Sequence, residues 1–484
     1  MKHNATLLCL LLAMNVFFFS TAKAQVNTTD SLALVDLYNS TNGPNWSRNA
    51  SWLTTAPLNT WYGIKITDNR VTSISLLSNG LQGTIPSSIG NLANLEHLNI
   101  PANYLSGKIP AVLGALTNLT YLDLSLNELK GTIPTTIFNL ENLTYLNLSF
   151  NQLSGTIHSN IGNLVNLQSL DLGGNQFQGT IPSNISKLVN LTWLNVEFNK
   201  LSGPIPIAVT RLSNLTFLDL GSNGFSGTIP PAIGRLVNLT YLALRGNGLS
   251  GSVPASFRNL VNLDYLFLED NQLTQEANVD FPYFPKQKIT VGLYYNRFTF
   301  DGLEFVAKKF PRAYYFAEAR RPVHQQGNTL SVYAGGTLSN NTYNWFKVGT
   351  TGSTTITGDS TFTPPSSGKY YVTVTNAVAT KLTLYSDTID FTMNNLTVNS
   401  HTATDVNNNK IKQGLLVYPS PASNIIHIQT SGIADIVLTN STGKILFAKS
   451  IKNRGEINIS AFANGIYYIQ NKTTGESEKI IIVH

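Results

Sequence analysis

Three carboxylates recur at a spacing that could hydrolyse a glycosidic bond. Asp123, Asp171 and Asp219 lie 48 residues apart, each in the same setting of Leu-Asp-Leu-Ser or Leu-Asp-Leu-Gly. If each 24-residue period is one coil of a stack of strands, alternate coils hold these acids about 9.6 Å apart. That is near the separation of an inverting glycosidase pair. The same aspartate is also what a repeating consensus would supply at that place, which is the stronger reading. No HExxH or GxSxG stretch occurs, and Gly443-Lys444 is followed by Ile, so no Walker loop is present. The seven histidines, at 3, 97, 158, 324, 401, 427 and 484, form no pair at metal-ligand spacing. The expectation is therefore no catalytic residue, no metal and no cofactor.

Binding is the better chemistry for these residues. The residue six before each recurring Asn reads Ser73, His97, Tyr121, Tyr145, Ser169, Trp193, Phe217, Tyr241 and Tyr265. Two residues on, the column reads Ser75, Asn99, Asp123, Asn147, Asp171, Asn195, Asp219, Ala243 and Phe267; the next contributes Glu197, Arg245 and Glu269. Tyr121, Tyr145, Trp193, Phe217, Tyr241 and Tyr265 thus form an aromatic stripe beside Asp123, Asp171, Asp219, Glu197 and Arg245. Exposed rings gain most when a partner covers them. The plain alternative is that they pack only against one another across strands. The favoured ligand is an extracellular protein or peptide, the alternative a polysaccharide, and a polysaccharide-active enzyme the remote reading.

The elements that must position these side chains follow from the repeat. Asn recurs at 79, 103, 127, 151, 175, 199, 223, 247 and 271, each step 24 residues. Around it runs LxxLxLxxNxLxGxIP, as in Leu119-Thr-Tyr-Leu-Asp-Leu-Ser-Leu-Asn127-Glu-Leu-Lys-Gly131-Thr-Ile-Pro134. Leucines two apart point one way from a short strand into a core. The Asn amide can join neighbouring coils through buried hydrogen bonds. Gly relaxes a tight turn, and the Pro that follows Ile or Val in seven of eight copies favours an extended convex side without regular helix. His158 replaces one of these prolines and reads as an exposed substitution. The pattern resembles leucine-rich repeats of the plant-type GxIP class over residues 69–272. That resemblance implies a mostly β solenoid, a horseshoe with a parallel concave sheet, here of nine 24-residue coils.

The ends supply the rest of the organisation. Lys2 and His3, the apolar run from Leu7 to Phe19 and Ala22-Lys23-Ala24 read as a signal peptide over 1–24. Its removal would take away Cys9, the one cysteine, and lower the formal charge from +6 to +4 by losing Lys2 and Lys23. No later run is long and apolar enough for a membrane helix. Residues 25–68 read as an N-terminal cap, with a helix over Asp30–Tyr38 capped by Asp30 or Ser31 and with Trp46, Trp52 and Trp61 covering the first coil. Residues 273–318 read as the C-terminal cap, with a degenerate coil at Val291–Asn296 and a helix from Phe300.

Two small β-sandwich modules are expected beyond. Alternating strands and Tyr370, at the place of a tyrosine corner, make 319–393 resemble an immunoglobulin-like module without its disulfide. Residues 394–413 read as a linker. In 414–484, Val417-Tyr-Pro-Ser-Pro-Ala-Ser-Asn424, Gly465-Ile-Tyr467 and the Lys479-bearing last strand resemble the type IX secretion C-terminal sorting domain of Bacteroidota. The resemblance implies that the secretion machinery is a partner and that the chain is secreted or held at the outer cell surface. Lysine and arginine concentrate in this last segment, eight against four acids from Lys410 on, while the repeats carry ten against eleven. A basic surface for nucleic acid is therefore not expected.

Overall fold

The computed structural model describes residues 27–482 except 276–281, 283–288, 311, 317, 394–414, 419–424, 441–443, 464 and 476. The expected signal peptide, the linker and most of the Val417–Asn424 motif lie outside the described residues. Residues 1–395 and 396–484 form two compact units.

In the first unit, three-residue strands recur every 24 residues from His97–Asn99 to Tyr265–Phe267 and pair in parallel, in register. Arg70–Ser75 and its antiparallel partner Ile64–Thr67 close one end, and Thr290–Gly292 the other, giving eleven strands. The central leucine of each strand, Leu98 through Leu266, is fully buried with those of its neighbours. One coil has no way to bury its own leucines, so stacking is the source of stability.

The other side of each coil is extended, as expected, but it is paired into a sheet and followed by a short helix. The GxIP segment belongs to a second parallel sheet of nine strands, Gln82–Thr84 to Gln272–Thr274. A five-residue 3-10 helix follows in each coil, from Ser87–Asn91 to Ala255–Asn259. Seven of the eight have Pro as N-cap, because its fixed φ suits the entry to a helical turn. His158 fills that place in the fourth, where its Nδ1 accepts from the Asn160 N–H at 3.1 Å. Gly155 shows why glycine precedes the Thr-Ile step: φ is +84°, and a Cβ there would lie 2.8 Å from Thr132 Cγ2.

The recurring Asn is a cross-coil bridge. Asn151 Oδ1 accepts from Leu129 N–H of the preceding coil at 2.9 Å, while its Nδ2 donates to Leu124, Leu148 and Ser149 carbonyls. The same set repeats at Asn103, Asn127, Asn175 and Asn271, and Asn296 continues it into the last coil. A second ladder runs along the flank. Asn118, Asn142, Asn166, Asn190, Asn214, Asn238 and Asn262 each donate to a carbonyl 25 residues earlier. The Asn-Leu-Thr triplets of the repeat are thus structural.

Helix α1 spans Thr28–Ser40, and its N-cap is Asn27, whose Oδ1 accepts from Thr29 and Asp30 N–H. This corrects the expectation of Asp30 or Ser31. Asp30 is buried and holds Arg70 through two hydrogen bonds, at 2.9 and 3.0 Å, plus Val71 N–H at 2.8 Å. Trp46, Trp52 and Trp61 are buried in one aromatic cluster with Tyr38.

At the far end, helix α2, Phe300–Lys309, packs on the last coil. Two antiparallel sheets follow: Val323–Gln326, Thr329–Val332 and Thr361–Phe362 form one. Asn341–Lys347, Thr354–Thr357, Gly368–Asn376, Thr383–Tyr385 and Ile389–Phe391 form the other. Tyr370 Oη donates to Ser366 O at 2.8 Å. Their core is continuous with that of the solenoid. Glu304 of α2 accepts from Thr337 N–H and Oγ1, Asn340 and Asn376, and Asp301 accepts from Gly336 N–H and Tyr333 Oη.

The second unit has its own sheet of five antiparallel strands, Leu416–Tyr418, Ile425–Asn440, Ile445–Asn458, Gly465–Asn471 and Ser477–Ile482. Ile426, Ile428, Ile436, Leu438, Ile457, Ile469 and Ile480 form its separate core. Tyr467 Oη donates to Ala463 O at 2.7 Å.

Candidate functional site

The register brings the sequence-derived columns together on one face of the eleven-stranded sheet. Alternation along each strand turns the leucine inward and its two neighbours outward. Tyr121 pairs with Tyr145, Trp193 with Phe217, Phe217 with Tyr241 and Tyr241 with Tyr265. Their rings lie flat on one another: Tyr121–Tyr145 centroids are 4.3 Å apart, Trp193–Phe217 3.5 Å and Phe217–Tyr241 4.3 Å, all within 10° of parallel. His97 extends the first stack, and Tyr265 and Phe267 tilt away at the end of the second. Ser169 interrupts the column between Tyr145 and Trp193. Trp193 and Tyr265 are the exposed members; Tyr121, Tyr145, Phe217 and Tyr241 are half-buried by their neighbours.

The second column has a structural duty that the residue types did not reveal. Asp123, Asn147, Asp171, Asn195 and Asp219 each accept, through one side-chain oxygen, the backbone N–H two residues on, at 2.8–3.0 Å. Asp and Asn do this equally well, so the turn does not require the charge. The charge is an addition to the face. Burial pushes the carboxyls of Asp171, Asp219 and Glu269 up from their ordinary range. For Asp219 the value is about 6, with Glu197 adding to the rise while Gly221 N–H and Arg245 oppose it. Burial and the Asp219 carboxylate also push the Tyr241 phenol up to about 12.

Arg245 is the cation of this end. Its Nη2 lies 3.0 Å from Glu197 and 3.7 Å from Asp219, and its guanidinium sits 5.5 Å over the Phe267 ring. It reaches Glu197, two coils away, because Gly221 leaves the intervening place empty. Glu269, which belongs with this cluster, is buried, and its Oε2 has no hydrogen-bond partner. Its place two columns from the aromatic stripe was visible in the repeat; its burial against Gly292 was not. Among the described residues, no group of three His, Cys, Asp or Glu is placed to hold a metal ion. No described helix is long and apolar enough to cross a membrane.

The folded-state rise at Asp219 gives a pH signature. A carboxyl whose value goes up on folding stabilises the fold at low pH and loses that contribution as pH climbs from about 3.8 through about 6. The ceiling is about 3 kcal/mol. Asp219→Asn keeps the N–H acceptor and removes the titration. The melting temperature of the variant relative to the natural chain should therefore rise between pH 4 and pH 7. A difference constant over that range would show that Asp219 is not desolvated.

Residues 69–273 match the leucine rich repeat family in six overlapping segments, and residues 416–483 match the secretion system C-terminal sorting domain. The eleven- and nine-stranded sheets are accordingly the two sides of a leucine-rich-repeat solenoid, followed by small antiparallel sheets. The chain is an exported one, secreted or attached at the cell surface, with a type IX sorting domain at its end. Among solved structures it is similar to a plant ice-binding protein, at 27% identity over 57% of this chain and 88% of that one, TM-score 0.49. It is also similar to the Arabidopsis receptor kinase HAESA in complex with the peptide hormone IDA, at 28% identity, 56% and 50% coverage and TM-score 0.47. A third is a TDR receptor, at 26% identity, 49% and 51% coverage and TM-score 0.42. The chain spans about half the length of these two receptor chains.

Proposed function

We propose that this chain is a non-enzymatic binding scaffold of the cell exterior, recognising a protein or peptide on the concave leucine-rich-repeat face. The observation that carries this reading is the aromatic and acidic surface built by Tyr121, Tyr145, Trp193, Phe217, Tyr241 and Tyr265 with Asp123, Asp171, Asp219, Glu197 and Arg245. Rigid rings expose a large apolar area at little entropic cost, and the polar column beside them supplies orientation. The signal-peptide and sorting segments fit delivery of that face to the outside. Residues 319–393, with the Tyr370 hydrogen bond back to Ser366, fit an immunoglobulin-like spacer.

A polysaccharide ligand is the second reading, because stacked rings flanked by Asn147, Asn195 and the aspartates also suit sugar hydroxyls. The test is binding of the full chain to a peptide library and a glycan array, with Trp193→Ala and Tyr241→Ala alongside. Each variant should weaken binding at least tenfold, the effect of an aromatic anchor. Binding unchanged in both would move the site to the caps or the small sheets.

A further inference from the structure

The fifth coil breaks the concave surface. At the three outward places this coil has Ser169, Asp171 and Gly173, and from Tyr121 to Tyr265 it is the one coil without an aromatic ring at the first of them. Its neighbours do not fill the space. Tyr145 lies flat against Tyr121 and Trp193 lies flat against Phe217, so the second face of each ring is turned toward Ser169. Two strand spacings of about 4.8 Å put these two facing rings about 9.6 Å apart. A flat cation seated midway would lie about 4.8 Å from each ring, inside the roughly 6 Å reach of a cation–π contact.

At the floor stands Asp171. One oxygen accepts from Gly173 N–H at 3.0 Å and the other from Asn195 Nδ2 at 3.2 Å. A carboxylate has about four acceptor sites, so half of its capacity is unused. The outward columns hold five carboxylates, Asp123, Asp171, Asp219, Glu197 and Glu269, against the one cation Arg245, on a chain whose overall charge is +6.

We infer that this slot takes the guanidinium of an arginine side chain in the ligand, its plane sandwiched between Tyr145 and Trp193 and its N–H groups donating to Asp171. The inference rests on the concave face being the ligand surface. Guanidinium is flat, permanently charged and weakly hydrated, and it pairs with a carboxylate in the plane of its fork. Both rings present their negative faces to it. An ammonium on a lysine has the charge without the plane, and a sugar ring has the stacking face without the charge.

The test uses the full chain and a fluorescein-labelled Gly-Arg-Gly-Arg-Gly-Arg-Gly peptide, with lysine and citrulline counterparts, followed by anisotropy. The arginine peptide should bind at least tenfold tighter than either counterpart. Ser169→Tyr should abolish that binding without lowering the melting temperature, because it continues the stack that the flanking coils already make. Asp171→Asn, which retains the Gly173 hydrogen bond, should weaken binding at least tenfold. Equal binding of the citrulline peptide, or binding that survives Ser169→Tyr, overturns the inference. If none of the three peptides binds while a library ligand is lost in Trp193→Ala, the concave-face reading stands and the arginine slot falls. If Trp193→Ala and Tyr241→Ala leave every library ligand bound, the concave-face reading itself falls.

Discussion

Asn151→Ala is expected to destabilise the solenoid by about 3–5 kcal/mol, read as a large drop in melting temperature. The side chain does what no neighbour replaces. Its removal strips the buried Leu129 N–H of its acceptor, which alone costs about 1–3 kcal/mol. Three further hydrogen bonds, to Leu124, Leu148 and Ser149 carbonyls, go with it. Those carbonyls keep other donors, Asn127, Asn175 and Leu126 N–H respectively, so each loss is a modest fraction of a full orphaning. A cavity at a site where the side chain is more than nine-tenths buried adds the remainder. Asn151→Asp should be no milder, since a carboxylate keeps the Leu129 acceptor but faces three carbonyl oxygens with nothing to donate. Leu146→Ala, in the same coil, is the apolar comparison at about 2–5 kcal/mol. Because each coil contacts only the next, either change weakens two interfaces at once. An Asn151→Ala melt superimposable on that of the natural chain would mean that the ladder is ornamental.

Deleting residues 415–484 is expected to remove essentially all of the protein from the outer surface and medium of a bacterium carrying the type IX machinery, leaving it in the periplasm. The segment matches the sorting domain and has its own isoleucine core, distinct from the core of the solenoid. Its removal therefore exposes no leucine of the repeats, and the truncated chain should retain the circular dichroism of the parallel sheets. Protease accessibility of intact cells, compared with that of cells whose outer membrane is permeabilised, reads the outcome. Surface display undiminished by the deletion would show that this segment does not direct export.

The two changes act on features that differ in how plainly the residues announce them. The 24-residue period alone aligns Leu122, Leu146 and Leu170 and, with them, Tyr121, Tyr145 and Ser169, because parallel coils of equal length have one register. The concave columns were legible for that reason. What a single period does not encode is conformation within the coil. Phe150 and Phe198 sit at φ near +50°, as do Leu126 and Ser222, each one residue before a bridging Asn. Nothing in the types Phe and Leu signals a left-handed backbone. The second sheet and its 3-10 helices were likewise hidden behind the proline. Contacts between segments far apart in the chain were the least visible. Asp30 looked like a helix cap because its partner, Arg70, lies forty residues away. Glu304 gave no hint of Asn376. The break in the aromatic column at Ser169 was readable only as one more member of that column until the ring planes on either side were known.

The join at Glu304 and Asp301 has a mechanical consequence. A solenoid has two ends at which it can unzip, and the C-terminal one is covered by α2, whose core runs on into the small sheets. Separating α2 from the sheets that follow it requires breaking the hydrogen bonds from Thr337, Asn340 and Asn376 to Glu304 and those from Gly336 and Tyr333 to Asp301. The end of the solenoid is therefore fastened to the small sheets by several hydrogen bonds acting together, not left as a single fraying turn.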